Sequence, residues 1–441
     1  MVKIRAILDV MMARQLVLAM IVVPIALAGG CGKTLNPAYC DEHPNDPDCR
    51  NSGLVAIDAP MGECSQSAQC VGNPNGSVCD VLSQTCVQCI VGVDVTGCSG
   101  ATPQCGDDHA CHGCIFDAHC TVSNVCLPNG MCADETTVLY AAQNGAGDVC
   151  TQAAPCSFTS ALAGVTATKH IVKLLPNVVA YSEPPITIGT AQPVQILGAS
   201  ATYQPNAAGD AITVTAPNVE IVGLTIANAA GGGDGIACTG TSILSLRQMK
   251  IRNNTGWGVS SNGCTVTVER TRLSGNPLGA MLLVAGKLEI RNNIIDHNGS
   301  GTLDTGNVSI QNASGRLVFN TIVENLSKSG GGRIGGVNCS PASGLTMLVS
   351  RNIVSTNGGG ATFGGTCTGA DATLNYTGKL GDIKFADLIE YRLTDTSPTT
   401  ILRDDPESGP DCMLGAKYID DYEGQTRPVN YCDRGADEYR P

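Results

Sequence analysis

The chain has 441 residues, a formal net charge of −13 at pH 7 and 15% charged residues. That balance argues against nucleic acid as a partner and against electrostatic attachment to acidic membranes. Twenty-three cysteines indicate an oxidising compartment, while one tryptophan and five phenylalanines leave few aromatic platforms for sugars.

Residues 1–30 form a targeting segment. Lys3, Arg5 and Arg14 precede the apolar run Leu16–Ala28, which is too short for a standing transmembrane helix. Met12 offers a second start and a more compact leader. The stretch Leu27-Ala28-Gly29-Gly30-Cys31 resembles a bacterial lipobox, with Ala28 where leucine is commoner. That resemblance implies lipidation of Cys31, a membrane partner through the lipid anchor and, because Gly32 follows, display at the outer membrane or cell surface. Removing Cys31 from an odd cysteine count leaves a set that can pair completely. The competing reading is a secreted protein with Cys31 in a disulfide. Residues 31–60 read as a tether, proline-rich and poor in apolar residues. Within it, Cys40 and Cys49 are expected to close a loop.

Residues 61–135 read as a disulfide scaffold. Twelve cysteines fall into three sets of four: Cys64, Cys70, Cys79, Cys86; Cys89, Cys98, Cys105, Cys111; and Cys114, Cys120, Cys126, Cys132. Modules this small lack a hydrophobic core and depend on bridges, each worth roughly 2–4 kcal/mol. Which cysteines pair within a set is not readable from spacing. Cys86/Cys89 and Cys111/Cys114 have the Cys-x-x-Cys spacing of zinc or redox sites. Each straddles a boundary between sets, so module junctions are expected and no metal. The modules loosely resemble the cysteine-rich repeats of extracellular adhesive and receptor proteins.

Residues 136–441 contain a repeat. Val219-Ile221-(x2)-Leu224-Ile226 returns as Leu244-Leu246-(x2)-Met249-Ile251, Val266-Val268-(x2)-Thr271-Leu273 and Leu288-Ile290-(x2)-Asn293-Ile295. A less regular copy carries Leu317, Asn320 and Ile322, and another reads Met347-Val349-(x2)-Asn352-Val354. Asn254, Asn276, Asn298, Asn325 and Asn357 follow the last apolar position at spacings of 22, 22, 27 and 32 residues. Alternating apolar residues give strands, and copies too short to bury a face alone must stack. Asparagine tolerates a left-handed corner and can form an amide ladder in register. The longer spacings predict loops at Gly299–Gly306 and Ser327–Gly336. Cys150/Cys156, Cys238/Cys264, Cys339/Cys367 and Cys412/Cys432 are expected pairs.

This pattern resembles the right-handed parallel β-helix proteins of the pectate-lyase-like fold, over about Thr137 to Tyr439. Leu139-Tyr140-Ala141-Ala142 and Pro155–Leu162 are similar to the opening strand and capping helix of such proteins, the helix being placed at Ser157–Thr168. Asp421-(x2)-Gly424-(x2)-Arg427-Pro428 and Asp433-(x)-Gly435-Ala436-Asp437-Glu438-Tyr439 are similar to the C-terminal signature of bacterial β-helix surface proteins. The expected class is all-β: a single-stranded solenoid preceded by a small, loop-dominated, disulfide-rich region.

Enzymes of this fold place acids, or Asp-bound calcium with a basic residue, on one outward strip. Asn320-Thr321-Ile322 lacks the aspartate of one hydrolase motif, and Arg333-Ile334-Gly335 lacks the lysine of another. The best catalytic constellation is Asp296, His297 and Glu324, with Asp304 in the adjoining loop; close carboxylates would split their pKa values. Arg272 and Arg291 are candidate contacts for acidic sugars, and Trp257 a candidate stacking face. The expected function is a cell-surface lipoprotein whose β-helix binds a polysaccharide or an envelope protein without catalysis. The alternatives are a surface lyase or hydrolase acting on an acidic polysaccharide, with calcium as an optional cofactor, and a rigid spacer.

Overall fold

The computed structural model describes residues 63–176, 178–301, 307–328, 334–358, 361–370, 374–387, 391–398, 401, 420–427 and 433–437. Cys31, Cys40, Cys49, Asp304, Cys412 and Cys432 lie outside the described residues, and with them the lipobox and two expected disulfides. The chain divides into two compact units, residues 1–86 and 87–441.

In the first unit Cys64 bonds Cys79 and Cys70 bonds Cys86, and the four cysteines bury one another. Sulfur replaces an aliphatic core. The same order recurs in the second unit, as Cys89–Cys105 with Cys98–Cys111 and Cys114–Cys126 with Cys120–Cys132. Each module therefore joins first to third and second to fourth cysteine. In both Cys-x-x-Cys pairs the two sulfurs belong to different bridges. The third module packs onto the coil: Val125 and Ala133 meet Val138, Tyr140, Ile171 and Leu197. The Tyr140 hydroxyl donates to the Ser123 carbonyl, and buried Lys173 pairs with Asp117.

The coil opens at strand Val138–Ala141. Helix Phe158–Ala163 covers its first turn with Phe158, Ala161 and Leu162 buried. Ser157 caps its N-terminus by accepting from the Ser160 amide, and the Glu183 carboxylate takes the Phe158 and Thr159 amides at 2.8 and 2.9 Å. Gly164 ends the helix well before Thr168, because its amide closes back on Ser160 and Ala161.

Three parallel sheets follow. One runs from Val138–Ala141 to Met347–Ser350, and a second from Ile186–Ile188 to Ala361–Gly365; strand Val308–Val318 turns the corner and serves both. The third, seven-stranded, is made of short strands, among them Lys250–Arg252, Arg272–Ser274, Ile294–Asp296, Thr321–Val323 and Ile353–Ser355. The protein is an all-β right-handed parallel β-helix with a disulfide-rich N-terminal region.

The repeat stacks like on like. Val219 pairs with Leu244, Leu244 with Val266 and Val266 with Leu288. On the short sheet Ile226, Ile251, Leu273, Ile295, Ile322 and Val354 form one inward column. These side chains are fully buried in one continuous core. At roughly 1.5–3 kcal/mol for each such side chain, stacking rather than any single coil carries the fold. Ser327–Gly336 is not wholly a loop, since strand Ile334–Pro341 already begins within it.

Two asparagine ladders edge the short sheet. Asn254, Asn276, Asn298, Asn325 and Asn357 are linked amide to amide at 2.8–3.0 Å. A second column, Asn293, Asn320, Asn352 and Asn375, is linked at 2.9 Å throughout. Each side-chain oxygen also accepts a backbone amide from the coil above, as Asn320 does from Asn293 at 3.0 Å. The residue before each of these first-column asparagines is left-handed, including Asn253, Gly275, His297, Glu324 and Thr356.

Nine disulfides stand among the described residues. They include Cys150–Cys156, Cys238–Cys264 and Cys339–Cys367. Bridges in such number form in an oxidising compartment, so the protein is exported. Among the described residues no helix is long and apolar enough to cross a membrane. The ladders make a direct prediction. Asn320→Ala removes the acceptor of the Asn293 amides and the donor to Ile290, Val318 and Asn352. Several buried groups are then unsatisfied, at about 1–3 kcal/mol each. Urea unfolding should show a loss of about 3 kcal/mol or more; a loss within ~0.5 kcal/mol would mean the ladder is dispensable.

Candidate functional site

The outward face of the short sheet is set by strand alternation. Lys250, Arg272, Ile294, Thr321 and Ile353 form one outward column, and Arg252, Ser274, Asp296, Val323 and Ser355 the other. The lower part is apolar: Ile294, Val323 and Ile353 are covered by Ile383, Tyr391, Leu393, Ile401 and Ala436 of the C-terminal segment. Above that cover Lys250 and Arg252 are exposed and Arg272 is half-buried.

Asp296 sits at the border and is 1% exposed. Arg272 donates to it in fork geometry, through Nε at 2.9 Å and Nη2 at 2.7 Å. His297 Nδ1 lies 2.8 Å from the same carboxylate, and its Nε2 lies 3.5 Å from Glu324 Oε2. The Tyr391 hydroxyl donates to Glu324 at 2.8 Å. Burial, then the negative charge of Asp296 and Glu324, pushes the Tyr391 phenol far up, so it stays a donor. The structure thus brings Asp296, His297, Glu324 and Arg272 together. It does not oppose two bare carboxylates: an imidazole stands between them and a guanidinium lies beyond. His297 is 58% exposed at its side chain, so a ring anchored by a buried carboxylate presents itself to solvent. Such an anchor fixes the tautomer with the Nδ1 proton toward Asp296.

Arg291 and Trp257 lie elsewhere. Arg291 ends a strand of a long sheet, where it stacks in register on Glu269 at 3.0 Å, with Arg247 on the other side at 3.5 Å. Its charge balances a buried glutamate rather than a ligand. Trp257 is 9% exposed, and its indole lies over Gly279 of the next coil, where any side chain would strike the ring. Little of the ring is exposed. Lys250, Arg252 and Tyr391 were not anticipated. The first two flank inward Ile251 within the repeat, so strand alternation alone could have flagged them; Tyr391 is too distant in sequence to leave a signal.

The cover is held by the C-terminal signature. Arg270 donates to the carbonyls of Tyr422 (3.0 Å) and Glu423 (2.8 Å). Buried Arg427 donates to Asn292 at 3.1 Å and stacks over Phe319 at 4.7 Å. Asp421, Glu423 and Asp437 bring carboxylate oxygens within 4.8 Å of one another. Asp421 accepts the Gln425 amide, Asp437 accepts the Leu393 amide at 2.7 Å, and Glu423 faces Arg392 at 3.5 Å. The Glu423 carboxyl lies against Asp437 and shares a side-chain hydrogen bond with it. Burial, opposed by the Leu393 amide and reinforced by Glu423 and Asp421, raises Asp437 to about 8.

Residues 210–376 match a family model described as right handed beta helix region. No curated protein matches the sequence. Among solved structures the chain is similar to the crystal structure of pectate lyase Pel9A, with a TM-score of 0.40 and 16% identity over 69% of this chain and 96% of that one.

A raised carboxyl favours folding most at low pH, below its unfolded value near 4, and loses that contribution as pH climbs to about 8. Hydrogen exchange at Tyr391–Leu393, corrected for intrinsic rates, should therefore accelerate between pH 5 and pH 9. Asp437→Asn keeps an acceptor for Leu393 and should flatten that profile; an unchanged profile in the variant would assign the pH dependence elsewhere.

Proposed function

We propose that the protein is an exported, lipid-anchored surface β-helix that binds an anionic polysaccharide along the uncovered part of its short-strand face, without cleaving it. The observation that carries this reading is the exposed pair Lys250 and Arg252 on one short strand, beside Arg272 of the next coil, in a chain of net charge −13. The acids beside it, Asp296 and Glu324, are already engaged by Arg272, His297 and Tyr391. The local field is therefore attractive to a carboxylated or sulfated chain despite the overall charge. Cys31 supplies the anchor in this reading.

A second reading, cleavage of an acidic polysaccharide, is favoured by one feature, the exposed His297 held by buried Asp296. In an elimination its Nε2 would take the proton next to a uronate carboxyl group while Lys250 holds that group. The bond from the β carbon to the departing sugar's oxygen would then break, that oxygen taking a proton from solvent, and an unsaturated end would remain.

Affinity electrophoresis in polygalacturonate and in neutral dextran separates the readings, with ultraviolet detection of unsaturated products. Retention by the acidic polymer alone is expected. It should weaken about tenfold in Lys250→Ala/Arg252→Ala and fall with salt. Equal migration of wild type and variant would end the binding reading. Unsaturated products lost in His297→Ala would establish the second.

A further inference from the structure

From Asn51 to Thr168 the chain has no lysine or arginine, yet it has ten aspartates and glutamates. The second and third modules lie within this stretch. Between them is a groove of about 600 Å³, walled by Val95, Ala101 and Pro103 on one side and Val122 and Met131 on the other, with Asp134 and Glu135 at its edge. Its apolar residues are not core: Val95 is 50%, Val122 71% and Met131 43% exposed. The third module packs Val125 on the coil, while Val122 and Met131 on the groove side stay exposed.

Both walls are preformed. Cys98–Cys111 ties one, and Cys114–Cys126 with Cys120–Cys132 tie the other. A groove that needs no ordering loses less free energy on binding. The charge at its edge is fixed too: the Thr136 amide and hydroxyl hold Asp134 below the usual carboxylate range. An exposed apolar strip under acidic groups selects both features of an occupant. An anionic polymer is repelled, and a polar cationic chain leaves the apolar walls wet.

We propose that this groove docks an extended segment of a partner protein that alternates aliphatic and cationic side chains. The aliphatic groups lie between Val95, Val122 and Met131, and the cations meet Asp134 and Glu135. This docking is independent of the coil face, whose cations suit the opposite kind of ligand.

The test uses the full chain folded under oxidising conditions and fluorescence anisotropy with a labelled ten-residue peptide alternating leucine and lysine. Serine-lysine and leucine-glutamate peptides of the same length are the comparisons. Saturable binding of the leucine-lysine peptide is expected, at least tenfold tighter than either comparison. Val122→Asn/Met131→Asn should weaken it tenfold or more. Glu135→Lys, at an exposed position that need not disturb folding, should weaken it and reduce its salt dependence. Equal binding of the serine-lysine peptide would show attraction by charge alone and overturn the proposal. So would unchanged affinity in both variants, or no binding by the wild type.

Discussion

Everything in the coil depends on keeping successive turns in register, and the buried amide ladders enforce it. A turn of aliphatic side chains slides on its neighbour at little cost, because hydrophobic contact is not directional. An asparagine whose oxygen accepts both the amide and the backbone N–H of the asparagine above does not slide, since a shift of one residue leaves polar groups buried and unpaired. The two columns bracket the lower short sheet and pin both ends of Ile294–Asp296, Thr321–Val323 and Ile353–Ser355. The same columns require a left-handed residue just before each first-column asparagine. At His297 and Glu324 that corner has received side chains with chemistry.

Register at this sheet then decides what its outward face can do. Alternation sends Ile251 and Leu273 inward, and Lys250, Arg252 and Arg272 outward. Lower down the outward residues are aliphatic and would be a liability in water. The C-terminal segment covers them and so marks the limit of the candidate site. Tyr391, Arg392 and Leu393 lie side by side in that cover. The first reaches Glu324, the second Glu423 and the third Asp437. The clustered carboxyls and the candidate site are thus joined through three consecutive residues.

The two parts of the second unit carry opposite chemistry. The modules have acids, exposed aliphatics and no fixed cations. The short-strand face has fixed cations and acids that are already paired. A cysteine-built module has no aliphatic core to fill, so valine and methionine on its surface are available for association.

The sequence alone established the solenoid, because a period-2 apolar pattern recurring every coil has few other ways to be buried. It located one asparagine ladder from its spacing, and grouped Asp296, His297 and Glu324 from their positions around neighbouring corners. It overlooked the second ladder, although Asn293, Asn320 and Asn352 stand in the repeat itself, because Thr271 interrupts the column where it begins. Only tertiary structure sent Arg291 to Glu269 and laid Trp257 over Gly279, since spacing along the chain does not say which sheet a side chain joins. Only tertiary structure brought Tyr391 onto Glu324 and ordered the module disulfides, because contacts between residues distant in sequence are set by packing and leave no local pattern.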